Sequence, residues 1–254
     1  MKIVVCVKQV AVLGDEVEFS DDARDVDPDY LDSALNEWDS YATEEALQIR
    51  ERLGDEGDEV VVVSVGGEQV EDAMRRCLAM GADRAVRVDY AGSADPITVA
   101  RLLAPVMQSE SPDLVFCGVQ SSDGVHAATG TALAELLDLP RVAVVTRIEW
   151  NPSAGRATVR RELEGGLVDV TEVDTPALLT IQTGINQPRY ANLRAIKQAE
   201  QKEIEVVQPA QQGEPAYVVR RMFAPPKGQG AEILAGGPAD IARRIMEIVE
   251  ERLK

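Results

Sequence analysis

Up to Val145 the chain repeats one pattern: a short apolar run, a turn, then a stretch of helical period. Lys2 to Val10 is almost continuously apolar, as expected of a strand covered on both faces of a parallel sheet. Gly14 to Asp29 is acidic and broken by Gly and Pro, a long loop or a hairpin excursion. From Asn36 to Leu53 the residues Tyr41, Ala42, Ala46, Ile49 and Leu53 recur at helical spacing, and Gly54 is the expected stop. Further strands are expected at Glu59–Val65, Ala85–Val88, Leu114–Cys117 and Val142–Arg147. Helices are expected at Val70–Met80, closed by Gly81, at Pro96–Gln108 and at Ala127–Leu139. Pro105 should end or kink the second of these.

Strands alternating with helices at this spacing predict an α/β fold, doubly wound on a mainly parallel sheet. Ligands of such sheets bind beyond the carboxyl ends of the strands, near a topological switch point. Three loops qualify, after Val10, after Val65 and after Cys117. The last, Gly118 to Thr129, is small and polar and runs into a helix start, where unpaired N–H groups and the helix dipole favour an anion. It carries neither Gly-x-Gly-x-x-Gly nor a Walker Lys, so pattern alone leaves a nucleotide site and an ordinary strand-to-helix connection both open.

From Thr146 the period changes to strict alternation. Arg147–Trp150, Arg156–Leu163 and Leu167–Val173 read as antiparallel strands separated by Asn151-Pro152-Ser153 and Gly165-Gly166. Pro176–Ile181 reads as another buried strand. Lys202–Gly230 carries few helical or strand signals, as expected of an arm that packs on a partner chain. An amphipathic helix follows at Pro238–Leu253, with Ile241, Ile245, Ile248 and Val249 on one face. The division is therefore an α/β domain over residues 1–200, its antiparallel portion near 146–181, and a C-terminal arm and helix over 201–254.

The formal charge of −18 excludes a nucleic-acid footprint and disfavours an anionic membrane surface. No apolar run is long enough to span a bilayer, and the N-terminus has no leader pattern, so the expected compartment is the cytoplasm. Cys6, Cys77 and Cys117 form no CxxC pair and read as buried thiols, and no metal site is expected. No catalytic group stands out. His126 is the single histidine and reads as a polar loop residue. Glu44 and Glu45 point different ways on a helix and read as a solvated face. Trp38 and Tyr41 read as core.

A series of short segments resembles the beta subunits of electron transfer flavoproteins, from the first strand to about Val207. The first strand ends Val7-Lys-Gln-Val10, and Asn36 and Asp39 precede Ala42-Thr-Glu-Glu-Ala-Leu47. Ala79-Met-Gly-Ala-Asp-Arg84 follows, then Gly118-x-Gln120-x-x-Asp123 closed by Thr129-Gly130. Arg161-Glu162 with Gly165-Gly-Leu167, Pro176-Ala-Leu-Leu-Thr180 and Asn186-x-Pro-Arg-Tyr190 complete the series.

The resemblance implies a non-enzymatic electron carrier. The chain would pair with an alpha subunit that holds most of a shared FAD, and carry a buried AMP of its own. Clients would be acyl-CoA or other flavin dehydrogenases, and the acceptor an ETF:quinone oxidoreductase. The nucleotide site carried over comprises Cys6, Asn36, Glu37, Trp38, Asp39 and Val65. To these it adds Gly118, Gln120, Asp123, Gly124, Val125, His126, Ala127, Ala128 and Thr129. Asp123 would shape the loop, since its charge repels a phosphate. Pro188, Arg189, Tyr190 and Leu193 carry over as the docking loop, with Leu193 the apolar anchor; Arg189 equally reads as tying that turn to the domain.

Where many members have Asp-Asp-Asp-Cys-Asn-Gln-Thr, this chain has Asp123-Gly-Val-His-Ala-Ala-Thr129, without the amide side chains, and Leu13 stands where some members place an aromatic near the flavin. A second FAD, in a bifurcating, NADH-oxidising complex, is the alternative to AMP. A non-redox adenine-nucleotide-binding module is the rival from another class.

Overall fold

The computed structural model of the chain describes residues 1–14, 17–53, 55–92, 94–210, 215–226, 228, 230–231 and 233–253. The helix stop expected at Gly54 lies outside them. Among the described residues, nine strands form one sheet and two more pair in a separate hairpin.

The sheet is seeded by β1 (Lys2–Cys6), which lies between and parallel to β4 (Glu59–Gly66) and β6 (Leu114–Gly118). β5 (Arg84–Asp89) extends it on the β4 side, and β10 (Ala177–Ile181) on the β6 side. Side chains alternate across these strands, so each supplies both layers. Ile3, Val5, Val60, Val62, Leu114 and Phe116 pack toward α1 (Glu37–Leu53) and α2 (Glu71–Met80). Val4, Cys6, Val61, Val63, Val115 and Cys117 pack toward α3 (Pro96–Glu110) and α4 (Thr129–Leu136). Continuous apolar runs are what double-sided burial requires. Because β4 and β5 lie on one side of β1 and β6 on the other, the switch point falls at β1/β6.

Several expected boundaries move. Lys2–Val10 is not one strand: β1 ends at Cys6 and the chain leaves the sheet to form β2 (Gln9–Leu13), antiparallel to β3 (Leu31–Leu35). The apolar pattern runs through the break because Val7 and Val10 are buried on either side of it. Pro105 does not end α3, which runs on to Glu110. Both Pro105 and Arg101, whose carbonyl loses its partner N–H, are exposed, so the lost bond falls on the solvent side of the helix. The helix expected from Ala127 begins at Thr129, because Val125 and Ala127 hold left-handed backbone, φ 52° and 49°.

β7 (Arg141–Asn151) runs parallel to β10 at its start and antiparallel to β8 (Arg156–Leu163) beyond, so two expected strands are one. β9 (Leu167–Asp174) closes that edge, with Leu167, Val168 and Val170 exposed. The sheet also takes a strand from beyond residue 200: β11 (Glu205–Val207) pairs parallel to β5. α5 (Leu193–Glu200) precedes it. α6 (Pro238–Arg252) buries none of its residues.

A candidate nucleotide-binding cleft at the switch point

The carboxyl ends of β1, β4, β5 and β6 open into a cleft of about 390 Å³. Its floor is Cys6 and Cys117, register neighbours on adjacent strands, with Val63 and Ser64 beside them. The hydrogen bond with Cys6, and then burial, hold the Cys117 thiol well above its usual range, so it stays protonated. A cleft of this size is at the lower end of small-molecule sites, roughly 300–1,000 Å³.

Two polar side chains at the start of α1 tie the floor together. Asp39 Oδ2 accepts the Lys8 N–H at 2.8 Å and Oδ1 accepts the Gly118 N–H at 3.0 Å, joining the exits of β1 and β6. Burial pushes its carboxyl up to about 7, against the pull of those two donors. Asn36 Nδ2 donates to the Gln120 carbonyl at 2.9 Å, and its Oδ1 accepts the Ser122 N–H at 3.3 Å. Glycine is required where these pieces meet. A Cβ on Gly118 would collide with Asp39 Oδ1 and lie 2.6 Å from Trp38 Cβ, and one on Gly130 would lie 2.9 Å from Thr180 Cγ2.

The β6–α4 loop forms one wall. Asp123, outside the cleft lining, accepts from Lys8 Nζ at 2.6 Å and from the Gly124 N–H at 2.6 Å. Burial opposes ionisation of Asp123, but Lys8, Ser121 and the Gly124 N–H together outweigh it and hold the carboxyl below its usual value. Ala128, the cap residue of α4, offers no side-chain acceptor to the first-turn N–H groups. These donors are therefore open to an anionic group, which is the donor chemistry a nucleotide phosphate needs.

Of the site residues expected from sequence, the cleft gathers Cys6, Asn36, Asp39, Val65, Gly118, Gln120, Gly124, His126, Ala127, Ala128 and Thr129. Glu37, Trp38, Asp123 and Val125 stand outside its lining. Glu37 is exposed at the helix start, Val125 is exposed at the loop tip, and Trp38 donates its indole N–H to Gln182 Oε1 at 2.9 Å. The cleft also includes residues that sequence reasoning missed: Lys8, Ser64, Gln69, Tyr90 and Tyr217. The first four sit at or just after strand ends, a signal that was available. Tyr217 comes from the arm, and no local pattern announces it.

The expected docking segment splits in two. Its first half is bolted to α1. Arg189 Nε and Nη2 reach Glu44 at 2.7 and 3.0 Å, its Nη1 reaches Glu51 at 2.6 Å, and Asn186 Nδ2 donates to the Tyr41 carbonyl and to Glu45. This corrects the reading of Glu44 and Glu45 as a solvated face. Both are buried, and the cation that compensates Glu44 lies far along the sequence. Burial acts to raise Glu44, yet Arg189 and Gln48 hold it below its usual value; burial dominates in Glu45 and raises it. The second half is presented outward: Tyr190 is 96% exposed and Leu193, at the start of α5, is 78% exposed.

Fold and cleft together define a doubly wound α/β protein with a candidate ligand cleft at its switch point. The electron transfer flavoprotein domain matches residues 26–212. The electron transfer flavoprotein subunit beta of Methylophilus methylotrophus is 47% identical over 262 residues, covering 99% of this chain and 98% of the relative. That of Bacillus subtilis is 33% identical over 231 residues, 87% of each chain. The mitochondrial subunit beta of Arabidopsis thaliana is 36% identical over 204 residues, 80% of each. The chain belongs to the electron transfer flavoprotein family, as a beta subunit.

Proposed function

We propose that this chain carries an adenine mononucleotide, AMP, in the switch-point cleft and forms an electron-carrying heterodimer with an FAD-bearing alpha subunit. The pair takes electrons from flavin dehydrogenases, acyl-CoA dehydrogenases among them, and delivers them to an ETF:quinone oxidoreductase. The observation that carries the nucleotide reading is the uncapped start of α4 facing a cleft of mononucleotide size. The FAD supplies the redox chemistry; this chain's own residues bind, shield and dock.

In this reading the α4 first turn and the Gly124–Thr129 backbone hold the phosphate. Lys8, already paired with Asp123, lends a nearby positive charge. Ser64, Gln69 and Tyr90 are the polar groups available to orient the rest of the ligand. Leu193, with Tyr190 beside it, is an apolar anchor for a small contact with a dehydrogenase. Such contacts exchange quickly because little area is buried. Among the described residues no helix is long and apolar enough to cross a membrane, consistent with a carrier that meets its acceptor from outside the bilayer.

The test is nucleotide content. The chain is co-expressed with its alpha subunit, the pair is purified, and acid-released nucleotides are separated and quantified. One FAD and one AMP per pair supports the reading. Two FAD and no AMP replaces it with a bifurcating complex. FAD as the sole adenine nucleotide, at one per pair, overturns the assignment of the cleft.

A further inference from the structure

Beyond β11, residues 216 and 217 of the C-terminal arm make contacts on two separate walls of the cleft. On one side the Ala216 N–H donates to Asp95 Oδ2 at 2.6 Å. Asp95 is buried and is the cap of α3; its Oδ1 accepts the Ile97 and Thr98 N–H groups, and its Oδ2 the Thr98 hydroxyl. On the other side the Tyr217 hydroxyl meets His126 Nε2 at 2.5 Å, and the two rings stand edge to face, centroids 5.8 Å apart. The loops that hold these two contacts lie after β5 and after β6, with β4 and β1 between them in the sheet. Ala216 and Tyr217 therefore bridge the cleft. A third attachment, the Met222 N–H on the Ala23 carbonyl, carries the arm onward to the β2–β3 excursion.

We propose that Tyr217 and His126 form a latch that closes the phosphate end of the cleft, limiting its ligand to a mononucleotide and slowing that ligand's release. The inference rests on the nucleotide reading given above. His126 belongs to the loop that leads into α4, so the latch stands beside the N–H groups offered to the phosphate. Tyr217 and His126 both line the cleft. A group attached beyond that phosphate, as in a dinucleotide, meets the Tyr217 ring and must displace it together with its bond to His126. Selection here works by exclusion, a built obstacle to the longer ligand rather than added contacts to the shorter one. Tyr217 is 51% exposed, so an outward swing of its side chain would open no part of the core.

The test uses the complete chain in complex with its alpha subunit, depleted of bound nucleotide, and compares AMP with ADP-ribose, which continues past the same phosphate. In Tyr217→Ala the preference for AMP over ADP-ribose should narrow by about tenfold or more, and AMP release should quicken. Tyr217→Phe keeps the ring and should retain the length preference while releasing AMP faster than wild type. Unchanged thermal midpoints in both variants establish that folding is intact. If the wild-type complex binds AMP and Tyr217→Ala leaves both the preference and the release rate unaltered, the latch is overturned and the nucleotide site stands. If the wild-type complex binds neither probe, the nucleotide site itself falls, and the latch with it.

Discussion

Arg189 grips Glu44 through its backbone N–H, its Nε and its Nη2, at 3.2, 2.7 and 3.0 Å, across 145 positions of sequence. The carboxylate is almost wholly buried, while the guanidinium stays partly in solvent. An apolar environment tolerates such a charge only with its partner in place. The contact therefore fixes the start of the segment that goes on to expose Tyr190 and Leu193.

Arg189→Ala should lower stability by about 3 kcal/mol near neutral pH, since it leaves Glu44 buried and unpaired. The pH dependence has a defined sign. Glu44 is held below its ordinary 4.5 in the folded chain, so its contribution is present above that value and is lost as the pH falls through the lowered one. The difference between wild type and variant, measured by urea unfolding across pH, should be large near neutrality and shrink in acid. A constant difference would mean that lost packing, not lost charge compensation, is responsible.

Asp95→Ala removes the α3 cap and the arm's anchor together. The loss of the cap should cost about 1 kcal/mol. Asp95 is held at about 2 against an ordinary 3.8, so the stability it confers persists above 3.8 and fades between 3.8 and 2 as the pH falls. Burial works against this ionised state; the Ala216 N–H and the bonds from Thr98 and Ile97 sustain it. Hydrogen exchange at Ala216 should speed up in the variant more than exchange within β1.

Gly118→Ala should destabilise the chain by about 1–3 kcal/mol, because the new methyl meets Asp39 and Trp38 where β6 leaves the sheet. Gly155→Ala is the control for the lost glycine itself: its φ of 61° is strained for alanine, but nothing lies within 4 Å of the added carbon. Thermal unfolding of the two variants separates collision from backbone strain.

Leu193→Ala should leave the thermal midpoint within error, since the side chain is exposed. If Leu193 anchors a dehydrogenase as proposed, the variant should weaken that contact by more than 1 kcal/mol, on the order of tenfold in affinity. Equal reduction rates for wild type and variant at limiting dehydrogenase concentration would remove Leu193 from that role.

Much of the sheet is readable in the sequence because burial on both faces forces Val60–Val63 and Leu114–Cys117 to be apolar without interruption. The turn at Gly165-Gly166, both residues at φ near 75°, is readable for a similar reason, since few other residues accept that backbone. What local pattern hides is compensation at a distance. Glu44 looks solvated until Arg189 is placed beside it. β11 is three residues long at a sheet edge, too short to show a period. Tyr217 enters the cleft through its own contact with His126 and that of the neighbouring Ala216 N–H with Asp95, partners that lie more than ninety positions earlier. Sequence reasoning also placed Glu37, Trp38 and Val125 at the site through their neighbours. Adjacent residues on a helix or loop point in different directions, and these three face elsewhere.

The stitching of Asn36 and Asp39 to the exits of β1 and β6 bears on what it costs to fill the cleft. Lys8, Gly118, Gln120 and Ser122 have their backbone groups paired by these two side chains within the protein alone. A ligand entering such a floor orders little new backbone, and the entropic penalty that accompanies folding on binding is largely avoided. The floor is a template before any ligand arrives, and filling the cleft would be an act of docking rather than of folding.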